Sequence, residues 1–151
     1  MMHITLIDKT SAINTVRRFE LPDLDRHGGW MIKRLLTAYP HLNERQLAGW
    51  LRALIYNNEF LFLYQEHSVA LAQTIRPDTL TPRTMVYEKF VWAQSPDYIS
   101  EAAFFYDRIK VWAQQQDAEQ IIVEEQTDVP HEMIREHVGR ILERKILYAR
   151  L

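Results

Sequence analysis

The spacing of apolar residues along this chain predicts a mixed α/β domain. Alternating polar and apolar positions predict a short first strand over His3–Ile7. Two helical stripes follow, one over Gly29–Tyr39 and a second that begins after Asn43, which can cap its helix in a capping box with Gln46. The apolar side of the second stripe consists of Leu47, Trp50, Leu51, Leu54 and Ile55. We expect these five side chains to be buried, because they share one helix face.

Three predicted strands come next with no helix between them. They are Phe60–Tyr64, Val69–Ile75 and Met85–Ala93, and all three are rich in β-branched and aromatic residues. A polar turn over residues 65–68 joins the first two strands, and a longer turn over residues 76–83 leads to the third. Neighbouring strands joined in this way run antiparallel.

The C-terminal part of the chain alternates helices and strands. The strongest helical stripe consists of Ala102, Phe105, Ile109, Trp112 and Ala113. A compact apolar strand, Gln120–Glu124, follows it. Asp128 is expected to cap a second helix with Pro130 in its first turn and Gly139 as its C-cap. Residues 140–151 complete the chain as a last strand.

The predicted order of elements is β-α-α-β-β-β-α-β-α-β. The strand–helix–strand unit over residues 85–124 requires a crossover connection and therefore a parallel strand pair. We predict a single α/β (α+β) domain over residues 1–151, with a mixed central sheet of about six strands and helices on both faces.

Composition narrows the possible classes of function. The chain has 151 residues, 47% of them apolar, and a net charge of −2, so it lacks the basic excess of proteins that bind nucleic acid or anionic membranes. It has no cysteine, which excludes disulfides and thiol catalysis. The segment MMHITLIDKT does not resemble a signal peptide, and no window approaches the ~18 apolar residues of a membrane span. We expect a cytoplasmic protein.

Two stretches carry a family resemblance. The first, FFYDRIKVWAQQQDAEQIIVEE (104–125), resembles the main helix and following strand of the GNAT acetyltransferase superfamily. The second, MIREHVGRILERKILYARL (133–151), is similar to the last helix, the glycine break and the closing strand of that family. The resemblance covers nearly the whole chain and implies a GNAT-like fold, whereas it is not specific for an activity.

The cofactor that the resemblance implies is an acyl coenzyme A, held on a turn of the form [Gln/Arg]-x-x-Gly-x-[Gly/Ala] between a strand and the main helix. The corresponding stretch is WAQSPDYIS (92–100), in which Gln94 matches the first position. Asp97 and Ile99 occupy the two small positions, so side chains block the approach of backbone N–H groups to a pyrophosphate. Ser95 or Asp97 is expected to cap the helix in place of a phosphate. We therefore expect no cofactor.

Our leading hypothesis is a GNAT-like domain that has lost acetyl-CoA binding and acts through protein contacts. The sequence is similar to degenerate GNAT-like proteins of tailed phages, some of which are parts of the particle. This resemblance implies virion proteins or further copies of the chain as partners. A third hypothesis is a small regulator that binds an unrelated enzyme.

The alternative hypothesis is an active N-acetyltransferase that uses acetyl-CoA. Glu88 would be the general base and Tyr148, or else Tyr106, the general acid. The cofactor would bind at Val91, Ala93, Gln94 and Ser95. This hypothesis predicts a splayed gap between residues 85–93 and 120–124. A simpler interpretation of Glu88 is an outward-facing strand residue paired with Lys89.

Two further groups of residues suggest binding sites. HEMIREH (131–137) is close to the zinc motif H-E-x-x-H, but Arg135 replaces its second histidine and His131 and His137 lie on different faces, so we expect no metal. Three successive aromatic residues, 104–106, cannot all face inward on one helix. Phe104, Tyr106 and also Trp30 are therefore candidate contacts with a protein partner.

Overall fold

The computed structural model describes residues 15–76, 84–123 and 127–139. The described elements are β1 (Arg17–Arg18), α1 (Leu24–Ala38), α2 (Glu44–Ile55), β2 (Phe60–Gln65), β3 (Ser68–Ile75), β4 (Met85–Ala93), α3 (Ile99–Ala102), α4 (Phe105–Gln115), β5 (Gln120–Val123) and α5 (His131–Val138). The strands predicted over residues 3–7 and 140–151, and with them Tyr148, lie outside the described residues.

The described strands form one mixed sheet in the order β1-β2-β3-β4-β5. The first three pairs are antiparallel, and β4 and β5 are parallel. The parallel pair is joined through α3 and α4, as the crossover argument requires. The predicted fold class is therefore confirmed, with five strands in the part of the chain that the structure describes.

The two faces of the sheet support separate hydrophobic cores. Alternate residues of β2 and β3 point to opposite faces, as in any strand. Helices α1 and α2 pack Met31 and Leu51 against Phe62 and Leu71 on one face. The other core contains Leu63 and Ala70 of the sheet together with α4 and α5 residues. The sheet is thus covered by helices on both sides.

A β-bulge in β4 determines which face each residue of that strand reaches. Leu71 of β3 pairs with Phe90, but the next residue, Ala72, pairs with Glu88, so Lys89 is the extra residue. The bulge reverses the alternation of β4. Val86 belongs to the α4–α5 core, whereas Phe90 belongs to the α1–α2 core. Because of this shift, the side chain of Glu88 reaches α4.

Helix α2 begins as its sequence predicts. The Asn43 side chain accepts a hydrogen bond from Gln46 N at 2.8 Å, and the Gln46 side chain accepts one from Asn43 N at 3.1 Å. The prediction for Trp50 is wrong, since 41% of this residue is exposed. Trp50 lies about 60° from Leu47 around the helix axis, at the margin of the apolar stripe.

For helix α5 the structure confirms the predicted C-cap but not the predicted N-cap. Gly139, with φ of +67°, is the C-cap of α5 and donates its N–H to Arg135 O at 2.8 Å. At the other end Pro130 is the N-cap residue, and no side chain caps the helix. The prediction that Asp128 caps α5 is therefore wrong, because its carboxylate binds α1 and β4 instead.

His27 of α1 is a buried, neutral residue. Trp30 Nε1, which can only donate, lies 2.9 Å from His27 Nδ1, so the imidazole proton is on Nε2 and is donated to Gln65 O at 2.8 Å. Burial lowers the pKa of His27, and the backbone bond to Gln65 opposes this shift only in part. Trp30 itself is half-buried. Its N–H group is bonded inside the fold.

Folding stability should therefore depend on pH through His27. The unfolded histidine takes up a proton near pH 6.5, whereas the folded one does so only at lower pH, so the unfolded state binds more protons between these values. The free energy of unfolding is expected to fall as pH drops from about 7 to 5, and less so in His27→Gln. Urea unfolding at each pH measures this, with His41→Gln as the exposed control. Equal pH slopes for the wild type and His27→Gln would contradict the assignment.

Candidate cofactor site

The turn after β4 is the stretch in which the sequence predicts a lost phosphate site. A short 3-10 turn, Pro96–Tyr98, leads directly into α3. The N–H of Gln94 donates to His67 O at 2.8 Å, and the N–H of Tyr98 donates to Ser95 O at 3.1 Å. No side-chain cap is made by Ser95, and the prediction that Ser95 or Asp97 caps the helix is wrong. The hydrogen bonds of the 3-10 turn satisfy the backbone N–H groups without a side-chain cap.

The turn between β2 and β3 lies against this stretch. The His67 ring stacks on Tyr98 with 3.9 Å between ring centroids and an angle of 4° between planes. His67 Nδ1 also lies 3.8 Å from a carboxylate oxygen of Glu101 in α3. The start of the main helix is therefore covered by residues of a neighbouring hairpin.

Residues 127 and 128 lie along the end of β4. Regular parallel pairing of β4 with β5 covers residues 85–88 of β4. Beyond it, Val91 forms an isolated parallel bridge with Thr127. Asp128 N donates to Val91 O at 2.9 Å, and Asp128 Oδ2 accepts from Ala93 N at 3.0 Å. Two of the four residues at which the sequence places a cofactor, Val91 and Ala93, are thus bonded to Asp128 through their backbone groups.

Asp128 also connects the sheet to α1. Arg34 binds both carboxylate oxygens of Asp128, with Nη1 at 2.7 Å from Oδ2. The guanidinium carbon of Arg34 lies 4.5 Å from the centroid of the Trp92 ring, so the arginine is held in place by a cation–π contact as well. Asp128 is therefore paired with a cation and only partly exposed to solvent.

Glu88 is fully buried. The simplest interpretation of the sequence, in which Glu88 faces outward, is therefore wrong. Glu88 Oε1 accepts a hydrogen bond from Tyr106 OH at 2.7 Å. The Tyr106 oxygen also lies 2.7 Å from Thr127 Oγ1. Burial raises the pKa of Tyr106 well above its usual value, and the charge of Glu88 raises it further. Glu88, Tyr106 and Thr127 form one chain of polar contacts between β4, α4 and the segment before α5.

Of the aromatic residues 104–106, Tyr106 does not have the exposure that the sequence suggests, whereas Phe104 keeps part of its surface in solvent. Phe105 and Tyr106 are both fully buried. Phe104 is half-buried and lies edge-on to His137 of α5, with 5.1 Å between ring centroids. The helix breaks at residues 103–104, between α3 and α4. The three side chains therefore do not follow the geometry of one continuous helix, and two neighbouring ones are buried together.

Two observations on the part of the chain that the structure describes concern the expected absence of a metal site and of a membrane-spanning helix. No group of three or more His, Asp or Glu residues there is arranged around a possible metal position. His137 Nδ1 lies instead 3.0 Å from Asp107 Oδ1. None of the described helices has the length and apolar character needed to cross a bilayer.

A five-stranded mixed sheet with one parallel pair, a bulged fourth strand and helices on both faces defines a GNAT-like fold. Solved acetyltransferase structures share it. One from Vibrio fischeri is 13% identical, with a TM-score of 0.55, over 76% of this chain and 97% of its own. An aminoglycoside 6'-N-acetyltransferase from Acinetobacter baumannii is 14% identical, with a TM-score of 0.54, over 82% of this chain and 88% of its own. No protein-family profile and no curated protein sequence matches the chain.

Sequence reasoning identified part of this site and missed the rest. It located the end of β4 and the turn that follows, as well as the buried carboxylate Glu88. It missed Arg34, whose partner Asp128 lies 94 residues away along the chain, and Thr127, which contacts Tyr106 21 residues away. Such separations leave no local sequence pattern. Arg34 is, however, a charged residue next to Leu35 within an apolar helical stripe, and such a residue often has a partner across the core.

Proposed function

We propose that this chain is a GNAT-fold domain that does not bind acetyl-CoA and acts through contacts with other proteins. The observation that carries the proposal is the position of Asp128. Its N–H and carboxylate occupy Val91 O and Ala93 N, which are the backbone groups that a pantetheine arm would need. A ligand entering here has to break both bonds and separate Asp128 from Arg34.

The turn after β4 supports the same proposal. It contains no glycine, and its side chains include the exposed carboxylate of Asp97. The N–H groups of Gln94 and Tyr98 already donate to carbonyl oxygens of the chain. A pyrophosphate needs several free N–H groups and gains from positive charge, so the residues present do not fit it.

Glu88 and Tyr106, the two described residues that would perform acid–base chemistry, are enclosed by the fold. A general base has to reach the substrate amine directly or through one water. Glu88 is 0% exposed and bonded to Tyr106. A tyrosine whose pKa lies well above its usual value is also a poor proton donor near neutral pH. These contacts favour a structural role for the pair.

Calorimetric titration with acetyl-CoA tests the proposal. At millimolar ligand we expect no binding heat beyond dilution and no rise in the thermal midpoint, because a ligand that binds the folded state must stabilise it. Desulfo-coenzyme A serves as the matched ligand without a thioester. Micromolar binding of either compound would overturn the proposal.

The more specific form of the proposal is that the chain is part of a protein assembly. The assembly that the sequence resemblance implies is a phage particle. The domain would then be present as several copies or together with other particle proteins. Native mass spectrometry of the complex isolated from its own source tests this form. A monomer that copurifies with no other protein would contradict it.

A further inference from the structure

A groove with apolar walls opens between the start of α1 and the end of α2. It encloses about 540 Å³, and its walls include Leu24 and Ile32 of α1 and Leu51 of α2. Gly28 and Gly29 also line it, so the α1 wall carries no side chain at two successive positions. A Cβ atom added at Gly29 would meet no atom of the described residues within 4 Å. The groove therefore has room for a side chain of another molecule. We call this feature the α1–α2 groove.

An exposed apolar side chain stands at the rim of this groove. Leu21 lines the groove and is 44% exposed. It belongs to the 3-10 turn Leu21–Asp23, in which Pro22 restricts the backbone. The carboxylate of Asp23 fixes this turn, because it accepts hydrogen bonds from Arg17 and from Glu20 N at 2.8 Å. A rigidly held apolar side chain beside a concave apolar surface is typical of a contact site.

Two opposite charges line the groove, and neither is neutralised within the part of the chain that the structure describes. Asp25 lies in the first turn of α1, and Arg52 lies in the last turn of α2, on the opposite wall. Both residues are exposed. Their side chains make no ion pair and no hydrogen bond with any described residue, whereas the neighbouring Arg26 is paired with Glu66. The groove thus offers one unpaired carboxylate and one unpaired guanidinium.

We infer that the α1–α2 groove is the contact surface between two copies of this chain, related by a two-fold axis. A two-fold axis brings the same surface against itself, so the surface has to complement its own charges. One free carboxylate and one free guanidinium meet this requirement. Asp25 of each copy pairs with Arg52 of the other, which gives two reciprocal ion pairs.

The apolar part of the groove complements itself in the same way. Leu21 of each copy enters the open space beside Gly29 of the other copy. An unrelated partner would need a cation, an anion and an apolar side chain in matching positions, whereas a second copy supplies all three by symmetry. This inference rests on the proposed function, which assigns the chain to protein contacts, and it names one partner and the surface that binds it.

Sedimentation equilibrium of the full chain tests the inference. We expect the wild type to be a dimer at micromolar concentration. Asp25→Arg brings two arginines together at each ion pair, and Arg52→Asp brings two aspartates together there. Because symmetry repeats each like-charge contact, each single variant should raise the dissociation constant of the dimer by about 100-fold or more.

An equimolar mixture of the two variants shows whether the charges meet between copies. The Asp25→Arg chain is positive at both positions and the Arg52→Asp chain is negative at both, so one copy of each restores both ion pairs. We expect a heterodimer with about the wild-type affinity, recognised by its mass in native mass spectrometry. Mixing cannot restore a dimer that is lost through misfolding or through a broken ion pair within one chain.

Arg135→Asp is the matched control, because it makes the same change of charge on α5, which covers the other face of the sheet. Arg135 is exposed, and this variant should dimerise like the wild type. A wild type that is monomeric at millimolar concentration, single variants that dimerise normally, a mixture without heterodimer, or an equal loss in Arg135→Asp would overturn the inference. Any of these results combined with no acetyl-CoA binding refutes the groove alone, whereas acetyl-CoA binding refutes the proposed function whatever the oligomeric state.

Discussion

Replacing Asp128 by alanine is expected to lower the free energy of unfolding by about 2–3 kcal/mol, because it removes charge-assisted bonds to Arg34 and an acceptor for Ala93 N. Partial exposure of the pair to solvent moderates the loss, since water replaces some of the bonds. Chemical denaturation at neutral pH measures the change. Asp128→Asn, which keeps one acceptor oxygen, should lose about half as much.

Asp97→Ala is the matched control for this prediction. Asp97 is an exposed carboxylate in the turn after β4. Its replacement should change stability by no more than about 0.5 kcal/mol. If Asp128→Ala is as stable as Asp97→Ala, then Asp128 does not hold the end of β4 closed. A double-mutant cycle with Arg34→Ala then assigns the loss to the pair, with an expected coupling of about 1–2 kcal/mol.

Removal of the Tyr106 hydroxyl is the second substitution with a large expected effect. Tyr106→Phe deletes the donor to Glu88 Oε1 and the contact with Thr127 Oγ1 while it keeps the aromatic ring. Because these groups lie in the interior, we expect a loss of about 2–3 kcal/mol in the free energy of unfolding. Thermal and urea denaturation both measure it.

Two further variants distinguish a structural role of Glu88 and Tyr106 from a catalytic one. Glu88→Gln keeps an oxygen that can accept the Tyr106 bond and should lose about 1 kcal/mol. The double variant Glu88→Leu with Tyr106→Phe replaces both polar groups by apolar ones and should recover part of the loss seen in Tyr106→Phe. If Tyr106→Phe instead equals or exceeds the stability of the wild type, the pair is strained, as functional groups often are, and the structural role is wrong.

Local patterns in the sequence predicted most of the described fold. The capping box of Asn43 and Gln46, the hairpin of β2 and β3 and the C-cap at Gly139 all depend on neighbouring residues, and the structure has them. The parallel pair followed from a connection rule. These features are predictable because the interactions that stabilise them join residues that are close together in the sequence.

The errors concern features that depend on distant contacts. The extra residue Lys89 changes the direction of Glu88, and nothing in the sequence around it marks a bulge. Asp128 has the residue type and position of a helix cap, but Arg34 and Ala93 N compete successfully for its carboxylate. Trp50 has the spacing of a core residue, but it lies at the margin of the apolar stripe and is 41% exposed. In each case tertiary geometry decides between two locally reasonable outcomes.

An NMR titration of the 15N-labelled protein with acetyl-CoA tests the central claim most directly, since each amide at the end of β4 reports separately. We expect the amide signals of Ala93, Gln94, Tyr98 and Asp128 to stay in place up to millimolar ligand, because their N–H groups are already bonded within the chain. Saturable shifts of these four signals at micromolar ligand would show that the cofactor displaces Asp128, and would contradict the account.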